Sequence, residues 1–326
     1  MITLKEIAEK CNLSASSVSR VLNNDPSLSI SEDKRILILK TAEEFGYAST
    51  KERANPKTTF GLLTGYTSEY DIIDPYYLLI RIGIESYCRE NKIELVRIYE
   101  NEFNKYIENR IDGVIVLGCV NQNAMKRVKS IVKKIVLVDF EDPNTEITSI
   151  SIDFEQTLKN LFEFFKNNGY KSVGLFAGLD EGQPEDIRTT VYKSLVSEFN
   201  FDSGKNYIYE NDFSHQGGYI MAEQLITYGK DLPDVIFCEN DTIAIGAIKA
   251  FYDNNIRVPE DIAIVGFNNI PTAEYCIPPL TTVSIPMKQM GETAAKTLQE
   301  YIKDDSMMNM KIFVPSKIIE RESTKR

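Results

Sequence analysis

The sequence predicts a small all-α helix-turn-helix head followed by an α/β body of two doubly wound lobes. Three observations predict it. Residues 3–23 hold two short apolar helical stripes separated by a tight polar turn. From Thr59 onward, continuous Val/Ile/Leu runs alternate with helical segments, the pattern of a parallel sheet buried on both faces. That alternation comes in two successive sets, the second starting near Thr148, and a last strand–helix remnant completes an earlier set.

In the head, Ile7, Ala8 and Cys11 share one helical face, and Val18, Val21 and Leu22 form the matching stripe of a second helix. Asn12-Leu13-Ser14 is the turn, with Ser14 placed to cap the second helix through its hydroxyl. The outer face of that helix reads Ala15, Ser16, Ser17, Ser19, Arg20, small and polar apart from one Arg, which suits entry into a groove. A third helix begins near Ser31, with Ile36, Leu39, Ala42 and Phe45 as its expected buried stripe and Gly46 as its stop. The domains are expected at 1–47 for the head, 48–58 for a polar linker and 59–326 for the body.

Within the body, strands are expected at 59–64, 93–98, 113–117 and 135–138, with helices near 76–90, 103–109 and 122–132. The second set has strands near 149–152, 172–177, 206–209, 234–238 and 262–266, with helices near 154–167, 184–199, 214–228 and 240–254. Residues 281–326 add a strand, a helix from Met287 to Lys303 and two closing strands. The chain then crosses between lobes three times. Lobe 1 comprises about 59–153 plus 285–315, and lobe 2 about 154–284 plus 316–326. Ligands of open α/β sheets sit beyond the carboxyl ends of strands, so two such lobes enclose a cleft that can close on a ligand.

The 326 residues are too many for one small core. No apolar run approaches the length of a membrane span, and the opening residues do not read as a signal peptide, so a cytoplasmic protein without membrane contact is expected. The five cysteines are scattered and never in a CxxC spacing, which reads as reduced thiols rather than disulfides or zinc ligands. Net charge is −11, unevenly distributed. Residues 1–57 hold nine Lys/Arg against eight Asp/Glu, and the rest holds 28 against 40. A near-neutral head on an acidic body binds nucleic acid only through the head, and weakly unless two heads act together.

The run Thr3-Leu-x-x-Ile-Ala, then Ser14 and Val18-Ser-Arg-Val-Leu-Asn23, resembles the DNA-binding motif of the lactose/galactose repressor (LacI/GalR) family almost position for position. The resemblance continues along the body in Asp139 after a strand, Gly178…Arg188, Glu239-Asn240-Asp241, Val265-Gly-Phe-Asn268 and Pro278-Pro-Leu-Thr-Thr282. It implies a periplasmic sugar-binding-protein-like body and a homodimer that grips double-stranded operator DNA and releases it on binding a small sugar effector. Ala15 and Ser16 are then expected to read base edges. Arg20 would make a bidentate contact to guanine. Thr3, with Leu4 beside it, and Ser14, Ser17, Ser19 and Asn23 would hold phosphates. In the family the linker folds on DNA and a Leu wedges a minor-groove step. Here Ala54 stands in that place and Pro56 cuts the segment short, so the linker either stays unfolded or touches DNA only through Lys51 and Arg53.

For the effector, the resemblance points to Asp74, Pro75, Tyr76, Asp139, Arg188, Phe213, Asn240 and Asn268. Planar polar groups bond sugar hydroxyls in pairs and an aromatic ring covers the C–H side, so these residue types fit that chemistry. Each has a purely structural reading too: Asp or Asn as helix caps, Arg188 as an ion-pair partner of Asp186 or Glu185, Phe213 as core. Ile73-Asp-Pro-Tyr-Tyr, Asp186-Ile-Arg188 and Phe313-Val-Pro-Ser-Lys317 look like a repressor of β-galactosidase genes, which implies a galactoside.

An enzyme is not expected. His215 is the only histidine, and neither a P-loop nor a GxGxxG stands at a strand–helix junction. No cofactor or metal is expected. Three other readings are a regulator using a corepressor or protein partner, a sugar-binding transport protein, and a glycosidase. The transport protein would need a signal peptide and has no use for residues 1–47. No coiled-coil tetramerisation module is expected, because no Leu-heptad tail precedes Arg326.

Overall fold

A computed structural model describes residues 3–23, 25, 28, 30–45, 58–66, 70–98, 111–141, 147–179, 185–202, 207–228 and 231–325. The linker residues Lys51, Arg53, Ala54 and Pro56, the expected stop at Gly46 and Tyr47, and the helix expected at 103–109 lie outside them. The chain divides into two units, Met1–Thr58 and Thr59–Arg326.

The head consists of α1 (Leu4–Lys10), α2 (Ala15–Leu22) and α3 (Glu32–Glu44). Thr3 opens α1 with a capping box: its hydroxyl accepts from the Glu6 amide at 3.3 Å, and the Glu6 carboxylate accepts from the Thr3 amide at 2.6 Å. The turn out of α1 is a Schellman motif. Asn12 takes a left-handed backbone with φ 51°, its amide reaches Glu9 O, and Leu13 N reaches Ala8 O at 2.9 Å. Ile7, Ala8, Cys11, Val18 and Val21 form the core, joined from α3 by Ile38 and Ala42.

The expected stripe of α3 is therefore corrected. Ile36, Leu39 and Phe45 are 45%, 47% and 44% exposed, while Ile38 is fully buried. Ile36-Leu-Ile-Leu39 is an unbroken apolar run, so its periodicity fits two helical phases equally. Packing against α1 and α2 selects the one carrying Ile38 and Ala42.

The body holds two six-stranded sheets built to one plan. The first runs β11 (Lys311–Val314), β5 (Thr148–Ile152), β4 (Ile135–Val138), β3 (Gly113–Leu117), β1 (Thr59–Thr64), β2 (Glu94–Ile98). The second runs β12 (Lys317–Ile319), β10 (Thr281–Ser284), β9 (Ala263–Asn268), β8 (Val235–Cys238), β6 (Val173–Gly178), β7 (Ile208–Asn211). All pairings are parallel except that of β12 with β10. Strands β3, β4, β6, β8 and β9 are buried along their whole length, which explains their unbroken apolar sequences.

Around the first sheet lie α4 (Tyr70–Ile73), α5 (Tyr76–Glu90) and α6 (Gln122–Ile131). Then come α7 (Phe154–Asn167), α8 (Ile187–Glu198), α9 (His215–Thr227), α10 (Asp241–Asp253) and α11 (Met287–Lys303). The helix after each fifth strand is exchanged. α7 follows β5 yet packs on α8 of the second lobe, and α11 follows β10 yet packs on α5 of the first. Each lobe also has one close crossing of helix backbones. A Cβ on Gly83 or Gly291 would fall 2.0 Å from the carbonyl oxygen of Lys288 or Ile80, which sets α5 against α11. Gly246 does the same for α9 and α10, at 1.9 Å from His215 O.

The three crossings between lobes lie at Asp153, at Ile285-Pro286 and at Pro315-Ser316. Two are tied together, since the Thr157 and Ser316 hydroxyls share a hydrogen bond of 2.7 Å. Strand β7 begins two residues later than the sequence suggests, and α8 starts only at Ile187, where Asp186 caps it.

Candidate functional site

In the head, Ser14, Ser16 and Thr3 are exposed, and Ser17, Ser19, Arg20 and Asn23 are partly so. Ser14 caps α2, its hydroxyl accepting from Ser17 N at 3.0 Å. Asn23 closes the helix by donating to Ser19 O at 2.8 Å. Leu4 and Ala15 pack against the head core and present only part of their surface. Arg20 Nε donates to Asp25 Oδ2 at 2.7 Å, so its guanidinium is held against the loop that follows α2.

In the body, carboxyl ends of strands from both sheets bring polar side chains together. Asp139, directly after β4, sits in the left-handed region with φ 66°, and Asn268, the last residue of β9, has φ 106°. Such backbone is uncommon outside Gly and best tolerated by Asn and Asp. It turns both strands sharply at their ends. Asp74 spans the lobes: Oδ1 accepts from Tyr76 N at 3.0 Å and Oδ2 from Asn240 Nδ2 at 2.7 Å. Asn240 also caps α10 through Ile243 N at 2.7 Å and donates to Phe213 O at 3.1 Å. The Tyr76 hydroxyl donates to Asp139 Oδ1 at 2.7 Å. Pro75 fills the N-cap position of α5.

Arg188 is the centre of the group. Its Nε and Nη2 fork onto Asp186, both at 2.8 Å, and Nη1 donates to the Glu239 carbonyl. Its guanidinium carbon lies 5.4 Å from the ring centre of Phe213, 5.6 Å from Phe267 and 5.9 Å from Phe154. Gly178 makes room for this arrangement, since a Cβ there would fall 2.2 Å from the Phe213 ring. Glu239 is fully buried; its carboxylate accepts from Gly178 N at 2.8 Å and Thr189 Oγ1 at 2.6 Å.

Burial pushes the Asp139 carboxyl up to about 6, against the pull of the Tyr76 hydroxyl and Arg188. It pushes Glu239 up to about 7, again opposed by Arg188. Asp74 is also raised by burial. Asp186 is held below the usual carboxylate range: burial opposes ionisation there, but Arg188 prevails. The Tyr76 phenol is raised by burial and by Asp139, so it stays a hydrogen-bond donor at neutral pH.

The structure thus brings Asp74, Pro75, Tyr76, Asp139, Arg188, Phe213 and Asn240 into one cluster. Asn268 lies at the same end of its sheet, its carbonyl accepting from Ile285 N at the second crossing. Phe154, Phe267 and Glu239 belong to the cluster and were not named from the sequence as effector contacts, while Asp186 takes the ion-pair role beside Arg188 that the sequence offered. Glu239 stands beside Asn240 at a strand end, and Phe154 begins the helix that follows a lobe crossing; those positions were the available signals. Asp241 turns away from the cluster, accepting from Ile270 N at 2.7 Å and Thr282 Oγ1 at 2.5 Å. Among the described residues no group of His, Cys, Asp and Glu is arranged to hold a metal ion, and no helix is long and apolar enough to cross a membrane.

A helix-turn-helix unit on the same chain as a two-lobed parallel α/β body with polar strand ends defines the class of DNA-binding transcriptional regulators. Residues 3–49 match the model for bacterial regulatory proteins of the lacI family, and residues 162–324 match that for periplasmic binding protein-like domains. The chain is 32% identical over 341 residues to the transcriptional repressor MelR of Bacillus subtilis, covering 99% of this chain and 97% of the relative. It is 31% identical to the transcriptional regulator GalR of Streptococcus thermophilus, covering 100% of both. The fold is similar to the lac repressor dimer bound to operator and the anti-inducer ONPF, with TM-score 0.77, 20% identity and 99% of each chain covered. It is also similar to a complex of the regulator CelR with cellobiose, with TM-score 0.71, 20% identity, and 99% of this chain and 100% of that one covered. The chain belongs to the LacI family of bacterial transcriptional regulators.

Proposed function

We propose that this protein is a cytoplasmic homodimeric repressor of a sugar-utilisation operon, released from operator DNA by a sugar, of which a galactoside is the first choice. The carrying observation is the convergence of Asp74, Tyr76 and Asp139 from one lobe with Arg188, Phe213 and Asn240 from the other. Among the described residues Arg188 spends three of its five N–H groups on protein acceptors, which leaves two for a pair of ligand hydroxyls. The carboxylates of Asp74 and Asp139 accept from further hydroxyls, Asn268 supplies an amide, and Pro75 and Phe213 cover apolar faces of the sugar. Bound complexes of the fold, with cellobiose in one case and with an operator and anti-inducer in another, support a sugar and a DNA site on one such chain.

In the head, the N-terminus of α2 enters the major groove with Ala15 and Ser16 toward the bases, while Arg20 contacts guanine. Thr3, Leu4, Ser14, Ser17, Ser19 and Asn23 flank the phosphates. A dimer presents two heads to a near-palindromic operator, which compensates for the low net charge of each. A sugar changes operator affinity only by its differential affinity for the two arrangements of the lobes.

Fluorescence anisotropy on operator DNA, with and without galactose, lactose and methyl galactosides, tests this. Release at sugar concentrations that saturate the body is expected; tighter DNA binding on adding sugar would mean a corepressor instead. Arg188→Ala is expected to keep operator binding and lose the response.

A further inference from the structure

We infer that Arg321, two residues past β12, is a positioning residue for Asn268 and acts on it through the Asn269 side chain. The inference rests on the reading of Asn268 as an effector contact. Asn268 and Asn269 are consecutive left-handed residues, with φ of 106° and 57°. Such backbone is costly outside Gly and persists only where the surroundings fix it. Asn268 is 4% exposed, and among the described residues no hydrogen bond holds its side-chain amide. Where that amide points is therefore decided by the backbone turn and by whatever holds the turn.

The turn is held at three points. The Asn268 carbonyl accepts from Ile285 N at 3.3 Å. Ile270 N donates to the buried Asp241 carboxylate at 2.7 Å, and Gly266 leaves space for that carboxylate, since a Cβ there would fall 2.2 Å from Asp241 Oδ1. Between them, Asn269 N donates to Thr282 Oγ1 at 3.3 Å, whose own proton goes to Asp241 Oδ1 at 2.5 Å. The Asn269 side chain adds the link that leaves the turn: Nδ2 donates to Ser284 Oγ at 3.2 Å, and Oδ1 accepts from Arg321 Nη2 at 2.9 Å. A guanidinium only donates, so it fixes which end of the Asn269 amide faces it and turns Nδ2 toward Ser284.

Arg321 is itself anchored. Its Nη1 donates to Leu280 O at 2.7 Å and its backbone N–H to Thr281 Oγ1 at 2.8 Å. Those two bonds staple the segment after β12 to the start of β10 and would do so whatever stood after β9. The bond to Asn269 adds nothing to that staple; it reaches the turn that presents Asn268. Ser284 precedes the second lobe crossing and β12 follows the third, so the same amide ties the strands of two crossings to one cleft residue. Without the guanidinium, the Asn269 amide is free to turn over, and Asn268 loses its fixed direction while the staple loses only one of its two bonds.

Full-length wild type, Arg321→Ala, Asn269→Gly and the double variant would be titrated on operator DNA with galactose, lactose and methyl galactosides. Glycine keeps the left-handed backbone at 269 and removes only the side-chain link. The sugar concentration for release is expected to rise at least about 10-fold in each single variant, the worth of one charge-assisted hydrogen bond, with operator affinity in the absence of sugar unchanged. The double variant is expected to be no worse than either single one, because both cut the same link. A wild-type sugar response in Arg321→Ala overturns the inference, as does a double variant whose loss is the product of the two single losses. If Arg321→Ala fails to fold, Arg321→Lys, which keeps the charge without the fork, is read in its place: a raised release concentration supports the inference and a wild-type one overturns it. Hydrogen exchange of the sugar-free protein gives a readout that needs no ligand. The Asn269 and Ile270 amides are expected to exchange faster in Arg321→Ala while those of β6 do not change; unchanged exchange at 269 and 270 overturns the inference. Should no sugar release even the wild type, the sugar reading fails, and exchange alone decides whether Arg321 holds the turn.

Discussion

Asn240 Nδ2 donates to Asp74 Oδ2 at 2.7 Å, joining the N-terminus of α10 in one lobe to the start of α5 in the other across 166 residues of sequence. Both side chains are buried; Asn240 also caps α10, and Asp74 also accepts from the first amide of α5, so the contact fixes the distance between two helix ends as well as between two lobes. Replacing Asn240 by Asp would set two buried carboxylates face to face. This variant is expected to lose about 1–3 kcal/mol of stability in urea unfolding, the cost of an unpaired buried polar group. It should also lose most of its sugar response, with operator binding by the folded fraction intact. A double-mutant cycle with Asp74→Asn would give a coupling of about 0.5–3 kcal/mol if the two act as a pair.

The ion pair of Arg20 with Asp25 bears on the DNA-reading helix. Arg20→Ala is expected to weaken operator binding by about 1–3 kcal/mol, the value of one bidentate base contact, and to leave sugar affinity unchanged. Asp25→Ala should loosen the guanidinium without removing it, so discrimination between operator and random DNA falls more than total affinity does. Anisotropy titrations on both DNA types at one fixed salt concentration separate the two effects.

Close helix crossings make a packing prediction. Gly246→Ala inserts a methyl group 1.9 Å from the His215 carbonyl and forces α9 away from α10. A loss of about 1–3 kcal/mol is expected, typical of overpacking. Gly169, which has nothing within 4 Å of its would-be Cβ, serves as the contrast for crowding, although its φ of +77° adds backbone strain of a different origin. Chemical denaturation followed by the tyrosine signal reads both.

Buried carboxyls give the body a pH signature. Asp241 and Glu239 are each raised by burial to about 7 and Asp139 to about 6. A carboxyl raised in the folded state binds its proton more tightly there than in the unfolded chain. Its contribution is complete below about pH 4 and lost as pH rises through 6 to 7. The unfolding temperature of the body should therefore fall between pH 5 and 8, once acid unfolding of the exposed ion pairs is avoided. Asp241→Asn, which removes one of the three groups, should flatten that slope.

Most of the fold was legible because the strand segments are continuous apolar runs that only a doubly covered sheet accommodates, as in Gly113–Leu117 and Ile135–Val138. Caps were legible at Ser14 and Asn240 for the same local reason. The phase of α3 was not, because four apolar residues in a row carry no periodicity. At the cleft, the sequence pointed to Arg188 and Phe213, but the Phe154 and Phe267 rings around the guanidinium come from two other elements. Their meeting depends on the crossing at Asp153, a tertiary fact without a local signature. Asp241 shows how sharply one residue of register matters: it is next to Asn240, yet the first turn of α10 points it inward to Thr282.

The exchange of α7 and α11 between lobes has a consequence for synthesis. The first lobe lacks both a covering helix and an edge strand until residues 287–314 are made, after every element of the second lobe except β12 and the final turn. On the ribosome, the half that is translated first therefore waits almost to the end of synthesis for its last helix and strand. Until then the α5 face around Gly83 waits without its partner, and a chain cut short before Met287 leaves the first lobe open, however complete the second one is.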